Sequence, residues 1–173
     1  TSSHDAIQRS LVRLYEKAAG KGGGATTAPS PASADAVPEG PFGFVALLGL
    51  EVTGVPDLLR AIDAGLPFTA FEEFVQRTGL SEARAIEFAD IGKDTLIARR
   101  GLGRFTRDES DRLARAARVF AATLPLFSGD RSTASAWLLS SQPALSGAIP
   151  LQLSRTELGA REVERALAKL KTA

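Results

Sequence analysis

The sequence predicts an all-α protein, with a helix-turn-helix in its N-terminal half, a small helical domain after it, and a flexible leader in front. Three observations carry this prediction. Beyond Phe42, apolar residues recur at spacings of three and four in nearly every segment. The breaks between segments fall on glycine, proline and N-cap residues. The stretch GKGGGATTAPSPASADAVPEGP, residues 20–41, has too little apolar surface to offset its ordering entropy, which makes it a linker.

In chain order, Ile7, Leu11, Leu14 and Ala18 give a weak helical stripe within 5–18, ahead of the linker. The apolar run FGFVALLGL, Phe42 to Leu50, reads as a strand or helix of the core, or as an apolar patch kept for a partner. Leu58, Leu59, Ile62 and Leu66 form the next stripe, closed by Gly65 and Pro67. Thr69 with Glu72 is a capping-box pattern, opening a helix that turns Phe71, Phe74 and Val75 inward. Ser81 is the expected N-cap of a helix carrying Ala85, Ile86 and Ala89. Asp90-Ile91-Gly92 breaks it, and a short helix is expected from Asp94 to Arg100, ended by Gly101 and Gly103. Thr106 with Glu109 repeats the capping box and opens the longest helix, with Leu113, Ala117, Phe120 and Leu124 on one face. Asp130 caps a helix in which Trp137 and Leu138 belong to the core. Thr156 caps a last helix with Val163, Leu167 and Leu170 inward.

A chain of 173 residues supports one full domain or two small ones. With no cysteine there is no disulfide framework, no thiolate zinc site and no cysteine nucleophile. The longest apolar run is about half a membrane span. No charged segment followed by an apolar signal core opens the sequence, which points to a cytoplasmic protein, and a start at Thr1 points to a processed or trimmed N-terminus. The net charge of +1 hides an asymmetry. Val55 to Asp90 holds three basic and seven acidic side chains, Ile91 to Arg118 eight basic and four acidic. That polarity suits a polyanionic partner.

The segment SEARAIEFADIGKDTLIARR, Ser81 to Arg100, has the helix-turn-helix arrangement, whose second helix enters the DNA major groove. Lys93, Asp94 and Thr95 at its start would face base edges or phosphates. Arg99, Arg100 and Arg104, with Arg107, would neutralise phosphates. The competing reading is a helical hairpin with an arginine-rich solvated face. Catalysis has little support. The single histidine, His4, lies in the leader without a partner at ligand spacing. Glu72-Glu73 and the Asp108, Glu109, Asp111 group sit at helix starts, where the dipole favours carboxylates. Gly101-Leu102-Gly103 has neither a preceding strand nor a third glycine, so it terminates a helix and does not cradle phosphate. No serine has a general base beside it, and no enzyme activity or cofactor is expected.

LFSGDRSTASAWLLS followed by ALSGAIPLQLSRTELGAREVERAL resembles the toxin-binding C-terminal domain of the Xre/MbcA/ParS antitoxins. The resemblance rests on Phe127, Gly129, Asp130, Trp137, Leu138, Ala144, Leu145, Gly147, Pro150, Leu151, Thr156, Gly159, Val163 and Leu167. Upstream, AGLPFTAFEEF, DTLIARR and FTRDESDRLARAARVF are similar to the helix-turn-helix half of the same antitoxins, and the likeness runs from about Val45 to Lys171. Two positions depart from the family pattern. Ser141 stands where a proline is common, and Gly92-Lys93-Asp94 replaces a commoner Ile-Ser start, so no base preference carries over.

The resemblance implies a type II antitoxin partnered by a RES-domain toxin that consumes NAD or transfers ADP-ribose from it. The C-terminal region would block the toxin's cleft, and the helix-turn-helix would bind operator DNA and repress the operon. Composition sets a leader over 1–41, which the resemblance does not cover; beyond it a DNA-binding region is expected over 42–107 and a toxin-binding domain over 108–173. Leu151, Gln152, Ser154, Arg155, Thr156 and Glu157 are the expected toxin contacts; prolines and small residues around them would fix a protruding piece at low entropic cost. Alternatively Leu151 and Leu153 close the core and Thr156 is a plain N-cap. A homodimer or a larger toxin–antitoxin assembly is expected, because repressors of this kind read two half-sites. Two other readings are a plain repressor whose C-terminal helices only dimerise, and a scaffold built on Phe42 to Leu50. The last helix carries Arg161, Arg165 and Lys169 at spacings of four, a face that solvation alone accounts for.

Overall fold

A computed structural model describes Val37, Pro38 and residues 40–173. The stripe expected within 5–18, His4 and most of the linker lie outside the described residues. The run from Phe42 forms a 3-10 turn over Gly43–Leu48, and Leu47 and Leu48 are sealed in the core at 1% exposure. It serves the core, packing against two of the helices that follow.

Those helices are α1 (Val55–Ala64), α2 (Phe68–Thr78), α3 (Glu82–Phe88), α4 (Lys93–Leu102) and α5 (Arg107–Thr123). Helix α1 buries Leu58 and Ile62 but leaves Leu59 of the predicted stripe exposed. The capping box expected at Thr69 does not form. Helix α2 begins at Phe68, two residues before the start that a Thr69 cap would set, behind Pro67, which makes no side-chain cap. The reason lies in packing: the Phe68 amide donates to Gly103 at 2.9 Å, and its ring stacks on Phe105 at 5.5 Å between centroids. In this register the Phe68 ring is buried at 6% exposure.

Ser81 caps α3 as expected, its hydroxyl accepting from the Arg84 amide. In the following turn, Asp90 takes φ 52° and Ile91 plugs inward at 4% exposure. Helix α4 runs through Gly101, and Gly103, in the left-handed region at φ 75°, ends it. Thr106 and Glu109 form the predicted capping box on α5. Leu113, Ala116, Ala117, Val119 and Phe120 of α5 are fully buried, and Phe120 meets Phe74 edge-on at 6.5 Å. Helix α5 is the shared spine: the 3-10 turn, α1 and α2 pack on it from one end of the chain and the last helices from the other.

A 3-10 turn at Leu124–Phe127 leads into α6 (Arg131–Leu139), capped by Asp130, with Trp137 at 2% exposure. After a second 3-10 turn, Pro143–Leu145, come the one-turn helix α7 (Pro150–Leu153) and α8 (Glu157–Thr172), capped by Thr156. Gly159 is required at the α7–α8 corner, since a Cβ there would sit 1.9 Å from the Leu153 carbonyl oxygen. Ordinary side chains do not reach that separation, so the corner closes only around glycine.

Candidate functional site

Helix α4 presents Lys93 and Asp94 to solvent at its first turn, with Thr95 half-buried beside them. Helical periodicity then sorts the rest of the helix. Leu96 points inward at 1% exposure, and Arg99, three residues on, follows it. The Arg99 guanidinium grips Glu109 through Nε at 2.8 Å and Nη2 at 3.0 Å. Arg99, expected at a phosphate, is therefore committed to an internal pair. Arg104 is committed too: it donates to the Ala64 and Gly65 carbonyls and closes the C-terminus of α1. Arg100 stays on the outer face, its guanidinium 5.3 Å over the Phe68 ring and 2.9 Å from Glu82. Sequence reasoning passed over Ile97, one turn beyond Lys93, which is 57% exposed.

The same periodicity sorts the C-terminal segment. In the single turn of α7, Leu151 and Ser154 share the inner face, at 0% and 1% exposure, and the Ser154 hydroxyl donates to the Pro150 carbonyl at 2.7 Å. Both side chains, expected as toxin contacts, face the interior in this arrangement. They hold the segment down. Gln152, Arg155 and Thr156 form the outer face, although the Thr156 hydroxyl also accepts from the Gly159 amide at 3.1 Å. Beside them stands Leu158, 71% exposed. Its signal in the sequence is the break in the α8 stripe, where a leucine falls off the Val163–Leu167 face.

Glu157, also expected as a contact, is enclosed by arginines. It accepts from Arg115 at 3.1 Å, Arg118 at 3.0 Å and Arg161 at 3.1 Å, which ties α8 to α5. Burial pushes its carboxyl up, but the bonds and charges of Arg161, Arg118 and Arg115 outweigh that and hold it below its ordinary value. Glu109 follows the same logic: burial raises it, and Arg99 with the Thr106 amide brings it lower. Arg155 reaches across to the helix-turn-helix, its Nε 2.9 Å from Asp90 Oδ1.

Ser141, standing where the antitoxins commonly carry proline, secures its loop by another means. Its hydroxyl donates to the Gly147 carbonyl at 2.5 Å, and Gln142 donates to Trp137 O at 2.9 Å. The hydrogen bonds fix what a proline would fix through φ. A groove between α1 and α5, lined by Leu59, Asp63, Asp108 and Arg112 among others, was not legible in the sequence; Nε of Arg112 is buried there without a partner. Among the described residues no cluster of acidic or histidine side chains is arranged to hold a metal, and no helix is long and apolar enough to cross a membrane.

Residues 57–118 match the family model described as the antitoxin Xre-like helix-turn-helix domain. Residues 122–171 match the antitoxin Xre/MbcA/ParS C-terminal toxin-binding domain. An Antitoxin Xre of Photorhabdus laumondii is 28% identical over 124 residues, which span 71% of this chain and 84% of that protein. An Antitoxin Xre of Yersinia enterocolitica is 32% identical over 117 residues, spanning 67% of this chain and 79% of that protein.

Proposed function

The chain belongs to the Xre antitoxin family, and from that premise we propose that it neutralises a RES-domain toxin by occupying its NAD cleft. The observation that carries this reading is the exposed corner of Gln152, Arg155, Thr156 and Leu158, set on a rigid footing of buried Leu151 and Ser154. An inhibitor that plugs a cleft needs side chains whose backbone is fixed before binding, because ordering costs are then already met. Gln152, Arg155 and Thr156 offer hydrogen bonds suited to a site built for a polar dinucleotide. Leu158 offers an aliphatic anchor for a pocket, as buried apolar groups do at interface centres.

The second activity is repression of its own operon. The toxin-binding work falls within 108–173 and operator binding within 42–107, where α4 lies across the major groove. Lys93, Asp94 and Thr95 face the bases and Arg100 a phosphate. Arg99 holds α4 to α5 behind this surface, and Arg104, itself exposed, bonds the C-terminal end of α1. A homodimer presents two copies of α4 to two half-sites. The work is done in the cytoplasm, by binding and without catalysis.

The test is co-expression with the RES-domain protein encoded next to this chain. The two should co-elute, and the cells should keep their NAD. A purified pair that runs separately, with NAD still lost, removes the proposal.

A further inference from the structure

Helix α4 carries more apolar surface on its outer face than a solvated helix needs. It buries Leu96 alone, while Ile97 is 57% and Leu102 70% exposed. Ile97 is flanked by the exposed Lys93 one turn before it and by exposed Ala98 beside it. The side chains of Lys93 and Asp94 form no hydrogen bond or ion pair with any described residue. Arg100 is held outward by the Phe68 ring and Glu82. Ile97 and Ala98 thus form a small aliphatic patch on an outer face that also carries Lys93, Asp94 and Arg100.

A scattered surface isoleucine needs no explanation. This one lies where a second helix of a helix-turn-helix meets base edges. The major groove offers one apolar group to such a residue, the C5-methyl of thymine. We infer that Ile97, backed by Ala98, packs on a thymine methyl in each half-site and is a specificity-determining residue of this chain. Lys93 and Arg100 supply the charge that brings the helix to the groove. Ile97 contributes little to non-specific affinity, because it neutralises no phosphate. The inference rests on the operator-binding reading above and goes beyond it by naming the base that is read and the residue that reads it.

The probe is the DNA segment upstream of this chain's own gene, prepared once with thymine and once with deoxyuridine throughout. The two pair identically and differ in the methyl group alone. The full chain should bind the thymine fragment more tightly, by roughly three- to ten-fold, the size of burying one or two methyl groups. Ile97→Ala should bind both fragments alike. Ile97→Val, which keeps the β-branch, should retain part of the preference. Ile97 is exposed, so both variants should keep the wild-type circular dichroism and melting temperature.

Equal wild-type affinity for the two fragments overturns the inference and leaves operator binding standing. An undiminished preference in Ile97→Ala overturns it as well. If that variant also shifts the sedimentation coefficient, a second copy of the chain covers Ile97 instead. No binding to either fragment at low salt overturns both the inference and the operator-binding reading.

Discussion

Arg155 of the α7–α8 corner is bound to Asp90 of the helix-turn-helix turn, with Nε 2.9 Å from Oδ1 and Nη2 on the same oxygen. They are 65 positions apart in sequence, and the bond is a direct link from the C-terminal corner to the loop that sets the start of α4. The Arg155 carbonyl in turn accepts from Arg115 Nη1 at 2.9 Å, so the corner is tied to α5 as well.

The pair is half-exposed, at 50% and 38% of the two side chains, so its loss should cost less than about 1 kcal/mol. Its effect on toxin binding should be larger and of opposite sign for the two partners. Asp90→Asn, which tolerates the φ of 52° at this position, removes the charge that competes for Arg155 and should tighten the complex a few-fold. Arg155→Glu should weaken it by about ten-fold or more if Arg155 contacts the toxin, since it reverses the charge at that contact. Titration calorimetry against the toxin measures both. If neither variant changes the affinity, Arg155 serves the fold alone.

Arg99 and Arg100 are adjacent in sequence and separate in role. Arg100→Ala should reduce the slope of log affinity against log salt by about one, the signature of one lost phosphate contact. Arg99→Ala should leave the slope in place and lower the melting temperature, because it strands Glu109, which is 6% exposed. A shared effect on the slope would show that Arg99 leaves Glu109 when DNA is present.

Glu109 makes the stability of the α4–α5 junction depend on acid. Its carboxyl lies below its ordinary value near 4.5 in the folded chain. A depressed carboxylate stabilises the fold above the unfolded value and loses that contribution as pH falls through the folded one. Melting temperature should therefore fall on acidification below about 4.5, with Glu157 adding in the same direction. Glu109→Gln should be less stable at neutral pH by about 2 kcal/mol and show a shallower acid slope. Parallel slopes in the two proteins would remove Glu109 from the acid response.

Helix existence and most caps were legible in the sequence because they depend on local chemistry. Ser81, Thr106, Asp130 and Thr156 each accept from an amide two or three residues on, and nothing distant is required. Thr69 failed as a cap because a distant partner decided the outcome: Phe68 has Phe105 to pack on and Gly103 to bond. The site residues were less legible for the same reason. Lys93, Asp94 and Gln152 could be placed outward from helix periodicity. That Arg99 would spend its charge on Glu109, and Glu157 on three arginines, depends on how α5 lies against α4 and α8. Sequence spacing carries no signal for that.

Leu151 and Leu158 provide the sharpest separation of scaffold from contact surface. They stand seven residues apart on the same corner, one at 0% and the other at 71% exposure. Leu151→Ala opens a cavity beneath α7 and should cost about 2–5 kcal/mol of stability. Any loss of toxin binding it causes should follow from unfolding and recover at lower temperature. Leu158→Ala touches nothing packed, so the melting temperature should stay within about 2 °C of wild type. Its toxin affinity should fall by roughly ten-fold or more if Leu158 fills a pocket. Chemical denaturation and calorimetry on the two variants give two numbers each. The proposed corner requires them to cross: stability lost without intrinsic affinity for Leu151, affinity lost without stability for Leu158. A Leu158→Ala protein that binds toxin like the wild type would move the interface away from the start of α8.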